Sequence, residues 1–531
     1  MPSISQTDAA LDKLATTAIE RTKALMKESD KLRDRREKAN RKRVARLFKD
    51  PKAIEATITL TDEVMRISSV KSSSRIFRRA AKKASIVGFG PINGLGLHAI
   101  GVLSHVLPTP VVAAVHQRVR ALSKDLILAS EADKLSRHMG KRTDKGISLN
   151  INVLGEAVLG DHEAELRFQS ILEMMRRPEV NYISVKLSSI VAQLIIIDVE
   201  GSITRVSEKM RILYRQAQQH GVFVNLDMEE YRDLPMTVAA FMRVLDEDEF
   251  VSMKAGIVLQ AYLPEAHHFF GELVEWSIKR YERSGASIKV RLVKGANLAM
   301  ERAEAELHGW SAAPYRTKSD VDASYVRLVD AALRPEHSKA VRIGIASHNL
   351  FHMTWAIEVA MSRGVLDQID IEMLEGMANA EALAVTRAGQ PVLLYAPVTR
   401  KDDFAAAVAY LVRRLDENTS DENYLKAAFE ISKNPAKFKE QEERFLKSIT
   451  ERHAITTQSL RHINHAQQTG QTFENEANAD PTEPKFIASV SQAIKKVRAI
   501  KDQEIPLVIN GKEIFTKEQE EGTDPSDNGK V

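Results

Sequence analysis

Two adjacent arginines near the end of the segment DFAAAVAYLVRRLDEN, Arg413 and Arg414, are the sharpest chemical signal in this chain of 531 residues. Read as a helix at ~100° per residue, the segment gathers Phe404, Val408, Leu411 and Leu415 within about 60° as an apolar stripe. Tyr410, Arg413, Arg414 and Glu417 occupy a separate flank about 100° wide. Paired planar guanidiniums suit a carboxylate held by parallel hydrogen bonds, and Glu417, four residues beyond Arg413, is spaced to steady one of them. Standing alone, the same pattern also describes a surface ion pair worth a few tenths of a kcal/mol.

The rest of the signal is a set of polar residues at the ends of short β-branched runs. Eight such runs occur: Ser148 to Leu154, Tyr182 to Leu187, Val222 to Leu226, Gly256 to Tyr262, Ile288 to Val293, Arg342 to Ala346, Ile371 to Leu374 and Pro391 to Tyr395. Their starts are 34, 40, 34, 32, 54, 29 and 20 residues apart, mostly the length of one strand, one helix and two loops. Eight such units predict an α/β chain with a (β/α)8 barrel, and a doubly wound sheet is the structural alternative. In a barrel the reacting groups lie at the C-terminal strand ends. Those positions hold Glu156, Lys186, Asp227, Gln260, Arg291, Lys294, Ser347, His348, Asn349 and Tyr395, a donor-rich mouth suited to an anionic substrate or a phosphate-bearing cofactor. Each taken singly also reads as structural: Lys186 and Lys294 as ion-paired lysines, His348 as a core histidine. No HxH or HExxH spacing is present, so no metal site is expected.

In this order the motifs ISLNINVLGEAVLG, ISVKLSSI, VNLDMEE, LQAYL, VRLVKGA, ASHN, LYAPV and YLVRRLDEN resemble the proline dehydrogenase domain of the bifunctional flavoenzyme family called proline utilization A. The likeness runs from about Ile147 to Asn418. It implies a (β/α)8 barrel preceded by helical arm segments, noncovalent FAD, and oxidation of L-proline to Δ1-pyrroline-5-carboxylate, with electrons passed to a quinone. By matching motif it assigns the proline carboxylate to Arg413, Arg414 and Lys186, a gate to Glu156 with Arg413, and support of the arginines to Glu417. Tyr395, Tyr410 and Leu374 would wall the ring, Tyr395 favouring proline over hydroxyproline. Asp227, Gln260, Arg291 and Val293 would surround the isoalloxazine, while Lys294, Gly295, Lys318, His348 and Asn349 would hold the ribityl, pyrophosphate and adenosine parts. Asn297 stands where many members have an aromatic residue.

The remaining chain reads in three parts around a barrel domain at 146–450. Residues 1–145 have helical periodicity without strand alternation, and between Lys31 and Asp50 ten basic residues face three acids. That segment reads as the solvated face of a long helix, with nucleic-acid or anionic-membrane contact as the sharper alternative. The run VGFGPINGLGLHAIG gives GxGxxxG and reads as an interdomain loop. A helix end and polar linker are expected at 451–485. Residues 486–531 resemble the start of an aldehyde dehydrogenase domain, with Asn510-Gly511 in hairpin position, and are expected to be poorly ordered. That second activity needs a catalytic cysteine, and the chain has none.

Zero cysteines exclude disulfides, thiolate metal sites and cysteine nucleophiles, and they fit a reducing, cytoplasmic compartment. A net charge of +4 identifies no partner. The longest apolar stretch, Ala99 to Val115, is too short and too interrupted for a spanning helix, and the N-terminus carries no secretory pattern. Transient contact with a membrane surface and a homo-oligomer are both compatible with this reading. A nucleic-acid partner is not expected. The competing enzyme class is a Schiff-base barrel enzyme using Lys186 or Lys294.

Overall fold

The computed structural model describes residues 4–84, 86–155, 160–400, 404, 407–408, 410–412, 414, 423–464, 473, 475–500, 504–523 and 525. Its centre is a closed parallel barrel. After a short strand β1 (Leu128–Ala129) come β2 (Ile147–Val153), β3 (Tyr182–Lys186), β4 (Phe223–Asp227) and β5 (Gly256–Gln260), then β6 (Ile288–Val293), β7 (Val341–Ala346), β8 (Ile369–Leu374) and β9 (Val392–Thr399). Strands β2 to β9 pair in sequence order, and β9 closes the ring by pairing with both β8 and β2.

Each strand alternates in the way a pleated strand between two environments must. One phase, such as Ile183, Val224, Ile257, Val290, Ile343, Ile371 and Leu394, is buried and apolar and packs against the surrounding helices. The other phase lines the interior and carries buried polar groups: Asn150 and Asn152 on β2, Ser184 on β3, Asp227 on β4, Lys289 and Arg291 on β6, Glu372 on β8. The longest spacing arises because two helices, Leu298–His308 and Lys318–Ala332, separate β6 from β7. The shortest arises because a nine-residue helix, Asn379–Arg387, joins β8 to β9.

Two expectations need correction. Strand β1 lies in the region read as purely helical; it adds to the C-terminal end of β9, Leu128 beside Val398 and Ala129 beside Thr399. Two residues are too few to show alternation. The glycine-rich run is also not a loop: Pro91–Leu103 is a helix with its proline in the first turn.

The helix Ile4–Leu32 packs against Leu350–Ser362 on the barrel wall. Its buried residues Leu11, Ala15, Ala18, Ile19, Thr22, Leu25 and Met26 fall at spacings of three and four. The basic segment that follows is only partly a solvated face. Arg33, 6% exposed, ion-pairs with Glu381 at the start of the helix between β8 and β9, and Arg41 Nη1 reaches the same carboxylate at 3.1 Å. The contact grouping divides the chain after Asn478. The second unit contains the helix Pro484–Arg498 and a hairpin, Leu507–Ile509 with Lys512–Ile514, turned at Asn510-Gly511 with both φ positive.

Replacing Glu381 by Gln is expected to leave two docked guanidiniums without their carboxylate and to cost about 3 kcal/mol. Faster amide exchange confined to the first two helices would show it, and unchanged protection there would contradict the docking role.

Candidate active site

All fourteen described residues among the seventeen candidate positions line one cleft of about 330 Å³ at the C-terminal mouth of the barrel. They are Lys186, Asp227, Gln260, Arg291, Val293, Lys294, Gly295, Lys318, His348, Asn349, Leu374, Tyr395, Tyr410 and Arg414. Glu156, Arg413 and Glu417 lie outside the described residues. The described residues from Phe404 to Arg414 are helical, and Phe404, Val408 and Leu411 are buried as the apolar stripe requires. Tyr410 and Arg414 turn to the cleft, with the guanidinium 5.2 Å from the ring centroid.

The cleft floor is built on Asp227, at the end of β4. Its Oδ1 accepts from Arg291 Nη2 at 2.6 Å and its Oδ2 from the Tyr395 hydroxyl at 2.8 Å. Asn152 donates to Asp227 at 3.2 Å and also to the Tyr395 oxygen. Arg291 Nη1 reaches Ser184 Oγ at 3.2 Å, and its guanidinium lies 5.1 Å from the Tyr395 ring centroid. Burial, with the Asp227 charge beside it, holds the Tyr395 hydroxyl well above its ordinary value, so it stays a donor.

Two cationic groups border this floor. Lys186 is ion-paired with Glu229, two residues beyond Asp227. On the β6 side, Lys294 Nζ is 2.6 Å from Asp322 Oδ1 and 2.9 Å from His352 Nδ1, and Lys318 pairs with the same Asp322. Asp322 is held far below the carboxylate range despite its burial, because two ammoniums face it. Burial and the neighbouring Lys318 push Lys294 down to about 7. The backbone that aims Lys294 needs Gly295: its φ is +127°, and a Cβ there would meet the Tyr262 ring at 2.4 Å.

Two polar atoms of the cleft lining, Gln260 Oε1 and His348 Nδ1, are buried without a partner. Gln260 Nε2 donates to the carbonyls of Met228 and Glu229, both at 3.3 Å, which leaves the buried Oε1 without a partner and open to an N–H. His348 Nε2 accepts from the Leu374 amide at 3.1 Å. Burial pushes its pKa down to about 4, so the ring is neutral and its proton sits on the unpartnered Nδ1 as a donor. Asn349 lines the cleft while its Oδ1 caps the helix Leu350–Ser362. An imide edge and a pair of phosphates, as in FAD, match these atoms and the Lys294–Lys318 cluster. Of the residues not anticipated, Glu229 was legible as the next inward position after Asp227, and Asp322 as the i+4 partner of Lys318. His352 and Asn152 carried no local signal.

The proline dehydrogenase family matches residues 135–427, more than half of the chain. The chain belongs to the proline dehydrogenase family. This proline dehydrogenase domain is 26% identical over 282 residues to proline dehydrogenase 2 of Bacillus subtilis, covering 52% of this chain and 80% of that protein. Against the bifunctional protein PutA of Escherichia coli it is 23% identical over 329 residues, 59% of this chain and 24% of the relative. The solved structure of proline utilization A from Corynebacterium freiburgense is 43% identical with a TM-score of 0.62, over 71% of this chain and 36% of that one. That from Bdellovibrio bacteriovorus shares the fold at a TM-score of 0.75 and 23% identity, over 97% of this chain and 51% of that one. The chain thus spans about half or less of these proline utilization A relatives.

An anion placed beside Lys294 favours its protonated form, so binding must draw in a proton wherever the lysine was neutral. With ADP as probe, proton uptake on binding is expected to be greater at pH 8 than at pH 6, since burial lowers the Lys294 ammonium to about 7 and a bound anion would raise it again. Calorimetry in buffers of different ionisation enthalpy reads this. Uptake that persists in the Lys294→Met variant would contradict the assignment.

Proposed function

We propose that the chain oxidises L-proline to Δ1-pyrroline-5-carboxylate on noncovalently bound FAD and passes the electrons to a quinone, the first step of proline catabolism. The observation that carries this reading is one cleft in which carboxylate-binding cations, a buried Arg291–Asp227 floor and a phosphate-suited lysine pair lie together. FAD supplies the acceptor for the hydride that leaves the ring carbon next to nitrogen, while the ring nitrogen gives up its proton and a C=N bond forms.

The chain's own residues bind and orient. Arg414, with Arg413 beside it in sequence and Lys186 from β3, takes the substrate carboxylate and fixes the ring at one distance and angle. Leu374, Tyr395 and Tyr410 wall the ring and exclude water. By the family resemblance Glu156 would gate the site with Arg413 and Glu417 would support the arginines; all three lie outside the described residues. Asp227, Gln260, Arg291 and Val293 would surround the isoalloxazine, Gln260 Oε1 being free to accept an N–H and Arg291 able to supply fixed positive charge on reduction. Lys294, Gly295, Lys318, His348 and Asn349 would hold the ribityl, pyrophosphate and adenosine parts, with His348 able to donate from Nδ1 and the lysines supplying positive charge. The absence of cysteine supports a reducing, cytoplasmic setting, and among the described residues no helix is long and apolar enough to cross a membrane. A quinone is then met at the membrane surface.

Arg414→Met is expected to raise the KM for L-proline on the order of a hundredfold, because it removes half of a charge-assisted clamp, while flavin content stays at one per chain. An unchanged KM, or loss of the flavin, would overturn the assignment.

A further inference from the structure

The interior of a (β/α)8 barrel is ordinarily filled by branched apolar side chains. Here it also holds a second ion pair, whose Glu372 lines the cleft and to which the proposed function gives no role. Lys289, two residues before Arg291 on β6, lies 2.7 Å from Glu372 Oε1 and 2.9 Å from Asp370 Oδ2, both carboxylates on β8. Lys289 is 3% exposed and Glu372 2%. Burial disfavours the ammonium, but Glu372, Tyr182 and Asp370 outweigh it and keep Lys289 above its ordinary value.

Strand β7 runs between β6 and β8, and a side chain there would part them. Gly344 removes that obstacle: a Cβ at this position would meet Glu372 Oε1 at 2.2 Å and Lys289 Cε at 3.1 Å. The pair also touches the cleft floor, because the other Glu372 oxygen is 3.8 Å from Arg291 Nη1. Arg291 therefore sits between two carboxylates of the cleft lining, Asp227 and Glu372, and Lys289 pairs with the second. Apolar residues of similar volume would serve stability as well as a buried ion pair does, so the pair calls for another role.

We propose that Lys289 and Glu372 are positioning residues that set the net charge experienced at Arg291, and through it the electrostatic potential on the cleft floor where the redox group binds. This rests on the flavin reading above. Without Glu372 the floor becomes more positive and favours an electron-rich flavin; without Lys289 the uncompensated carboxylate makes it more negative and disfavours one. Removing both restores the balance.

The test uses sulfite, an anion that adds to oxidised flavin and bleaches it without any substrate, titrated into the flavin-loaded full chain. Glu372→Gln is expected to bind sulfite on the order of tenfold more tightly, Lys289→Met on the order of tenfold more weakly, and the double variant within about threefold of the parent. Shifts in the same direction for both single variants, or none in either, would overturn the proposal, since a merely structural defect has no reason to change sign. If Lys289→Met does not fold, Glu372→Gln and the charge-balanced double variant still decide it. A parent chain that holds no flavin and cannot be reconstituted overturns the flavin reading before any titration. Flavin bound with unaltered sulfite affinity overturns only the charge assignment.

Discussion

The ion pair between Arg291 on β6 and Asp227 on β4 ties together strands that are not neighbours, at the depth where the barrel interior becomes a cleft. A buried guanidinium and carboxylate tolerate only an arrangement in which each finds its partner, because an uncompensated charge at that depth costs several kcal/mol. That requirement spreads outward. Tyr395 on β9 and Asn152 on β2 bond to Asp227, Ser184 on β3 bonds to Arg291, and Glu372 on β8 lies 3.8 Å from Arg291. Six of the eight barrel strands thus contribute to one connected polar network.

The walls are made differently. Cations on the β3 and β6 sides are each held by a carboxylate, Lys186 by Glu229 and Lys294 by Asp322, so the mouth carries positive charge without leaving it unpaired. Neutral donors and acceptors at Gln260 and His348 are fixed by backbone contacts on one side and left open on the other. Such a site selects by geometry: a ligand must satisfy atoms that already have fixed directions. The N-terminal helices act further out, where Arg33 and Arg41 converge on Glu381 and fasten the arm to the helix between β8 and β9.

Much of this was legible in the sequence. The eight strands stand within four residues of the runs read from β-branched composition, because each strand has a fully apolar outward phase that a single sequence displays. The cleft residues could be listed because a barrel delivers its strand ends to one mouth, and the ordered motifs supplied chemistry that spacing alone does not. Strand β1 escaped because two residues carry no period. The helix Pro91–Leu103 was hidden by glycines that ordinarily mark loops. Arg33 and Arg41 looked solvated because their carboxylate lies some 340 residues away. His352 beside Lys294 and Lys289 against Glu372 were hidden for the same reason: long-range ion pairs leave no mark within a window of sequence.

In the proposed reaction L-proline and a flavin meet in this cleft for hydride transfer. The visible spectrum of the purified chain, recorded without oxygen before and after L-proline is added, decides it. A flavin spectrum that bleaches on addition is expected. A flavin that stays oxidised in excess L-proline would contradict the assigned reaction, and a colourless chain that FAD cannot reconstitute would contradict the site itself.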